Sequence, residues 1–100
     1  MESQTIMRKD ETGTRIDIEY EKGRKIGTVH VQDQYDNKET LFRYPASPDD
    51  DEIEEAIESS DILNRAYNLK KREKLAYLKS QIKKAIEIMT TFAETGYTSD

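Results

Sequence analysis

Apolar and polar residues alternate with a period of two over the first 44 positions and recur with helical spacing after that. Ile16, Ile18 and Tyr20 alternate with Asp17 and Glu19, the pattern of a strand with one face buried. Val29 and Val31 alternate with Thr28 and His30. Leu41, Phe42 and Tyr44 form a further stretch, and a weaker one, Thr5–Lys9, precedes Asp10–Gly13. Gly23 within Glu21–Lys25 and the pair Asp36-Asn37 within Asp33–Lys38 mark turns between them. A loop at Lys22–Lys25 sets Ile18 opposite Val29, Ile16 opposite Val31, and Tyr20 opposite Gly27, where an aromatic ring covers the missing side chain. A similar loop at Tyr35–Lys38 sets Val31 opposite Phe42 and Val29 opposite Tyr44. One at Asp10–Gly13 sets Met7 opposite Ile16. A single face then collects Met7, Ile16, Ile18, Tyr20, Val29, Val31, Phe42 and Tyr44. A slip of one residue would exchange the two faces, so the pattern pins the register.

The strands end at Pro45-Ala46-Ser47-Pro48. Ser47 is placed to cap a short helix, with Pro48 at its first position, Asp50 three residues on, and acids where the helix dipole favours them. Ile53, Ala56 and Ile57 give that helix one apolar stripe, and Ser59-Ser60-Asp61 interrupts it and caps the next. From about Ile62 to about Glu94 there is no glycine or proline, and nothing in Lys70–Lys74 breaks a helix by propensity. The spacing predicts one continuous helix. Leu75, Leu78, Ile82, Ala85, Met89 and Phe92 repeat as a heptad seam, while Ile62, Ala66 and Leu69 lie on the opposite side. A continuous rod with opposed stripes would cover the sheet with one and meet another chain with the other. A break near Lys70 would instead fold both halves onto one core. Gly96 stops the helix. The expected class is therefore α+β: a four-stranded antiparallel meander over 1–46, a short acidic helix over 47–60, a long helix over 61–95 and a tail over 96–100, all in a single domain.

Composition adds a reason to look for a partner. With 34% hydrophobic and 37% charged residues among 100, the core is thin, and a homodimer built on the seam would extend it. The absence of cysteine excludes disulfides and thiolate metal sites. No apolar run reaches the ~18 residues of a membrane span, and the N-terminus lacks a basic segment followed by an apolar one, so the expectation is a soluble, cytoplasmic protein.

Charge is split along the chain. Residues 1–61 carry 8 Lys and Arg against 17 Asp and Glu, a net of −9, and residues 62–100 carry 8 against 4, a net of +4. The acidic charge is densest at Asp49, Asp50, Asp51, Glu52, Glu54, Glu55 and Glu58, which reads as a docking site for a basic partner or as a solvated helix start. The basic charge is densest at Lys70, Lys71, Arg72 and Lys74, followed by Lys79, Lys83 and Lys84. These would neutralise phosphates, but they are spread around the helix and the whole molecule is acidic, so nucleic-acid binding is not favoured.

Enzyme chemistry finds little support. His30, the only histidine, falls on the polar face between Asp17 and Arg43, and no nucleophile has a motif context. Asp33, Asp36, Asn37 and Glu39 crowd one turn but miss EF-hand spacing, with Tyr35 and Lys38 at the wrong places. The four glycines are scattered, so there is no phosphate loop. No catalytic, cofactor or metal residue is assigned. The expected function is non-enzymatic protein binding or regulation through the helical seam and the charged surfaces. The alternatives are an acidic inhibitor that mimics nucleic acid, and nucleic-acid contact through the basic helix.

Overall fold

The period-two stretches form one antiparallel sheet in the order β1-β2-β3-β4: β1 Glu2–Met7, β2 Arg15–Glu21, β3 Ile26–Gln32 and β4 Lys38–Arg43. Three helices follow, α1 Asp50–Ser59, α2 Asp61–Ala66 and α3 Arg72–Thr95. The computed structural model describes residues 2–7, 9–24 and 26–95. The expected stop at Gly96 and the tail 96–100 lie outside these, as does the side chain of Met7.

The β2–β3 register is the expected one, with Ile16 opposite Val31, Ile18 opposite Val29 and Tyr20 opposite Gly27. Met7 pairs with Ile16 in the backbone, the register shifts between Thr5 and Met7, and Ile6 packs on the core. The β3–β4 register differs from the expectation. Val29 faces Phe42 and Val31 faces Glu39, with an irregularity after Val29 that leaves Leu41 unmatched. Asp33 is the reason. Its carboxylate accepts the backbone N–H groups of Tyr35 (2.8 Å) and Asn37 (2.9 Å), and its own N–H donates to the Asn37 carbonyl. Asp36 takes a left-handed conformation, φ 65°. The turn therefore closes earlier than Tyr35–Lys38, and the bulge turns both Leu41 and Phe42 toward the core, where each is half-buried.

Helix α3 lies across β2 and β3 and against α1. It comes so close that a Cβ on Gly27 would sit 2.9 Å from Met89 Cγ. Tyr20 covers the gap, stacking edge-on against Phe92 at 4.6 Å and donating its hydroxyl to the Ala93 carbonyl at 2.9 Å.

The cap of α1 is Asp49, not Ser47. Asp49 Oδ1 accepts the Glu52 N–H at 2.8 Å and Glu52 Oε1 accepts the Asp49 N–H, a complete capping box. Ser47 would need Asp50 to reach back, and that side chain is one methylene shorter. Ser60 ends α1 and caps α2 as expected, accepting from the Leu63 N–H at 3.1 Å.

The continuous long helix is not what forms. The chain leaves helical geometry between α2 and α3, with Tyr67 extended at φ −128° and ψ 151°. Tertiary contacts override local propensity here. The Tyr67 ring is buried and its hydroxyl donates to the Asp10 carboxylate in the β1–β2 turn. Asn68 builds the corner, accepting the Lys70 N–H on Oδ1 and the Lys71 N–H on its carbonyl. With the rod broken, both stripes fold onto one core. Ile62, Leu63, Tyr67, Leu78, Ile82, Ala85 and Met89 join Ile16, Ile18, Val29 and Val31 in a single cluster, with Leu69 and Leu75 packed on its margin.

Candidate functional site

The heptad seam is not a free surface. Leu78, Ile82, Ala85 and Met89 are 0% exposed and Phe92 is buried, all within one protomer. Leu75 is half-buried against the same cluster. The expectation of a partner or homodimer on this stripe therefore loses its surface, because the sheet and α1 already pack against α3.

His30 faces Asp17 as expected but lies opposite Thr40 rather than Arg43, which the shifted register moves beside Thr28. It is buried among neighbouring side chains, with Nε2 2.6 Å from Thr28 Oγ1 and 3.3 Å from Glu19 Oε2, and Nδ1 3.0 Å from Thr40 Oγ1. Glu19 and Thr28 share Nε2 while the Thr40 hydroxyl stands on Nδ1, so a carboxylate and a hydroxyl flank the buried ring on opposite nitrogens. Asp17 is taken by Arg15 at 2.7 Å. Burial pushes the imidazole pKa down, with Glu19 opposing. The hydrogen bond from Lys38 holds Glu19 below the usual carboxylate range, against its own partial burial, and the nearby imidazole assists.

The acid-rich turn is structural. Asp33 organises the turn itself. Glu39, on the inward side of β4, caps α2 from outside the helix: its carboxylate accepts Ser60 Oγ (2.5 Å) and the N–H groups of Asp61 (3.2 Å) and Ile62 (3.3 Å). Among the described residues no three His, Cys, Asp or Glu side chains converge on a point where a metal would sit.

The acidic helix divides into two rows. Asp50 and Glu54 face α3, where Lys83 Nζ reaches Asp50 Oδ1 at 2.9 Å and Lys79 Nζ reaches Glu54 Oε2 at 3.3 Å. The Lys83 contact holds the Asp50 carboxyl below its usual range. The cations that meet the acidic helix are thus Lys79 and Lys83. The signal was in the sequence: acids four apart on one helix and lysines four apart on another meet when the helices run antiparallel. Asp51, Glu55 and Glu58 stand on the neighbouring, outward row, about 6 Å and about 4.5 Å apart along the axis. All three are exposed, and no cation among the described residues pairs with them. Asp49 and Glu52 are exposed and bonded to each other's backbone as the cap.

Lys70, Lys71, Arg72 and Lys74 are all exposed at the α2–α3 corner, with no carboxylate pairing among the described residues. Arg72 and Lys74 occupy the first turn of α3, where positive charge opposes the helix dipole.

Sequence reasoning missed one feature altogether. A groove of about 440 Å³ runs between β4 and the end of α1, lined by Glu39, Thr40, Leu41, Ala56, Ser59 and Ser60. Nothing in local periodicity announces it, because it arises from how the helix docks beside a sheet edge.

Comparison of the chain with protein-family models, with curated proteins and with solved structures gives no match. Among the described residues no helix is long and apolar enough to cross a membrane.

Proposed function

We propose that this is a non-enzymatic binding protein that engages a basic partner through the outward row of α1. The observation that carries this reading is the division of the acidic helix. Two carboxylates are matched by Lys79 and Lys83, whereas Asp51, Glu55 and Glu58 are held on one rigid row with no paired cation among the described residues. Like charges at i, i+4 and i+3 destabilise a helix slightly, and a basic partner would relieve that repulsion. Charge complementarity of this kind accelerates association and selects partners more than it adds raw affinity. An inhibitor presenting carboxylates where a target expects phosphates is the narrower version of the same reading.

Recovery of bound proteins from the native host at low salt tests it, with the wild type compared against Asp51→Asn/Glu55→Gln/Glu58→Gln. The wild type should retain a basic protein that the triple variant loses and that salt releases steeply. Retention by both would remove the acidic row from the account. Competition by duplex DNA for that partner separates nucleic-acid mimicry from simple charge docking.

A second reading follows from the exposed corner Lys70, Lys71, Arg72 and Lys74, whose first-turn cations oppose the dipole and suit an anionic partner. An electrophoretic shift at low salt, abolished by Lys70→Ala/Lys71→Ala/Arg72→Ala, would support nucleic-acid contact there. No shift would dismiss it.

A further inference from the structure

Strand β4 is an edge of the sheet, and no described strand pairs with its outer side. Natural edges are usually blunted, and β4 carries Lys38, Arg43 and the bulge at Leu41. That same bulge aims Leu41 at the groove beside α1. The groove has an apolar floor, Leu41 and Ala56, both half-buried. Its helical wall continues into carboxylates: Glu52 lies four residues before Ala56, and Glu55 four before Ser59, so each neighbours a lining residue on the helix surface. An open backbone edge, an apolar floor and an acidic rim lie side by side.

We propose that this groove receives an extended, lysine- or arginine-bearing segment of a partner, laid along β4 as a fifth strand. The inference rests on the reading that α1 docks a basic partner, and it adds how the partner is held. An added strand lies about 4.8 Å from β4 and sends alternate side chains to the two sheet faces. Side chains on the inner face run over Leu41 and Ala56 toward Glu52 and Glu55. Lys and Arg suit this place, because their aliphatic stems cover apolar surface while their charges reach the carboxylates. Side chains on the outer face fall beside Lys38, Thr40 and Arg43, where further cations are repelled and neutral β-branched residues fit. The preferred segment therefore alternates a cation with a residue such as threonine or valine. The bulge keeps the paired stretch short, so the segment alone binds weakly.

The probe is the peptide acetyl-(Lys-Thr)3-amide, titrated into ¹⁵N-labelled protein at low salt. Two further versions are N-methylated, one at every Lys and one at every Thr. Residues alternate in which side of the strand their N–H groups face, so only one of these versions blocks pairing with β4. The expected result is shifted amides at residues 39–43 and 56–59. One methylated peptide should bind like the parent, and the other should bind roughly tenfold more weakly or worse, from the lost backbone bonds. Equal binding by both methylated peptides, with shifts confined to the outer row of α1, would overturn the strand pairing and leave the acidic docking face standing. No shift on either β4 or α1 would overturn both.

Discussion

Replacing Leu78 by alanine separates a core residue from an interface residue. Leu78 is 0% exposed within a single protomer and belongs to the cluster that joins α3 to β2, β3 and α2. Truncating a fully buried leucine costs about 2–5 kcal/mol, the lost transfer energy plus that of the cavity left behind. A domain of this size has roughly 5–15 kcal/mol in total, and each kcal/mol moves Tm by about 4–8 °C. Leu78→Ala should therefore lower Tm by between about 8 and 40 °C. Ala76→Ser, on the exposed side of the same helix, should change stability by no more than about 0.5 kcal/mol. The assay is thermal unfolding followed by circular dichroism over a hundredfold range of protein concentration. Because the stripe is buried inside the protomer, Tm should not change with dilution for either protein. A wild-type Tm that climbs with concentration, or a Leu78→Ala cost under about 1 kcal/mol, would refute the reasoning and return the seam to an interface.

Gly27→Ala places a methyl 2.9 Å from Met89 Cγ and should cost about 1–3 kcal/mol in urea unfolding; coupling to Met89→Val in a double-mutant cycle would show that the methionine is what it strikes. Tyr67→Phe removes the donor to Asp10 and should cost about 1–2 kcal/mol. Burial works against Asp10 ionisation, but bonds from Thr12 and Tyr67 hold its pKa below the ordinary value, so Tyr67→Phe should also raise that pKa in an NMR titration. His30 should titrate below its ordinary 6.5 because burial disfavours the charged ring. The stability this contributes is complete above the unfolded pKa and is lost as pH falls through the folded one, so the difference between wild type and His30→Gln should be flat at neutral pH and shrink in mild acid. An imidazole midpoint above 6.5 would contradict it.

The sheet was legible because alternation leaves little freedom. Ile16, Ile18, Val29 and Val31 have one register that buries them all, and the chain adopts it. The β3–β4 pairing was not, because Asp33 decides the turn through its side chain, a choice invisible to hydrophobic periodicity. The continuous helix failed for a related reason. Residues 67–71 contain no breaker, and the break is made by the Tyr67–Asp10 contact across 57 positions of sequence. The polar gap between the two stripes was the local sign of a corner. The acidic cluster was visible as composition. Which of its carboxylates were already matched depended on α1 lying antiparallel to α3, a packing fact.

The central claim is that the outward row of α1 is available for binding and the inward row is not. Two double variants of equal net charge test it: Asp51→Asn/Glu55→Gln on the outward row, and Asp50→Asn/Glu54→Gln on the row paired with Lys83 and Lys79. The measurement is the affinity of each for acetyl-(Lys-Thr)3-amide at low salt. The outward pair should lose most of the binding and the inward pair little of it; equal losses, or a larger loss from the inward pair, would contradict the account.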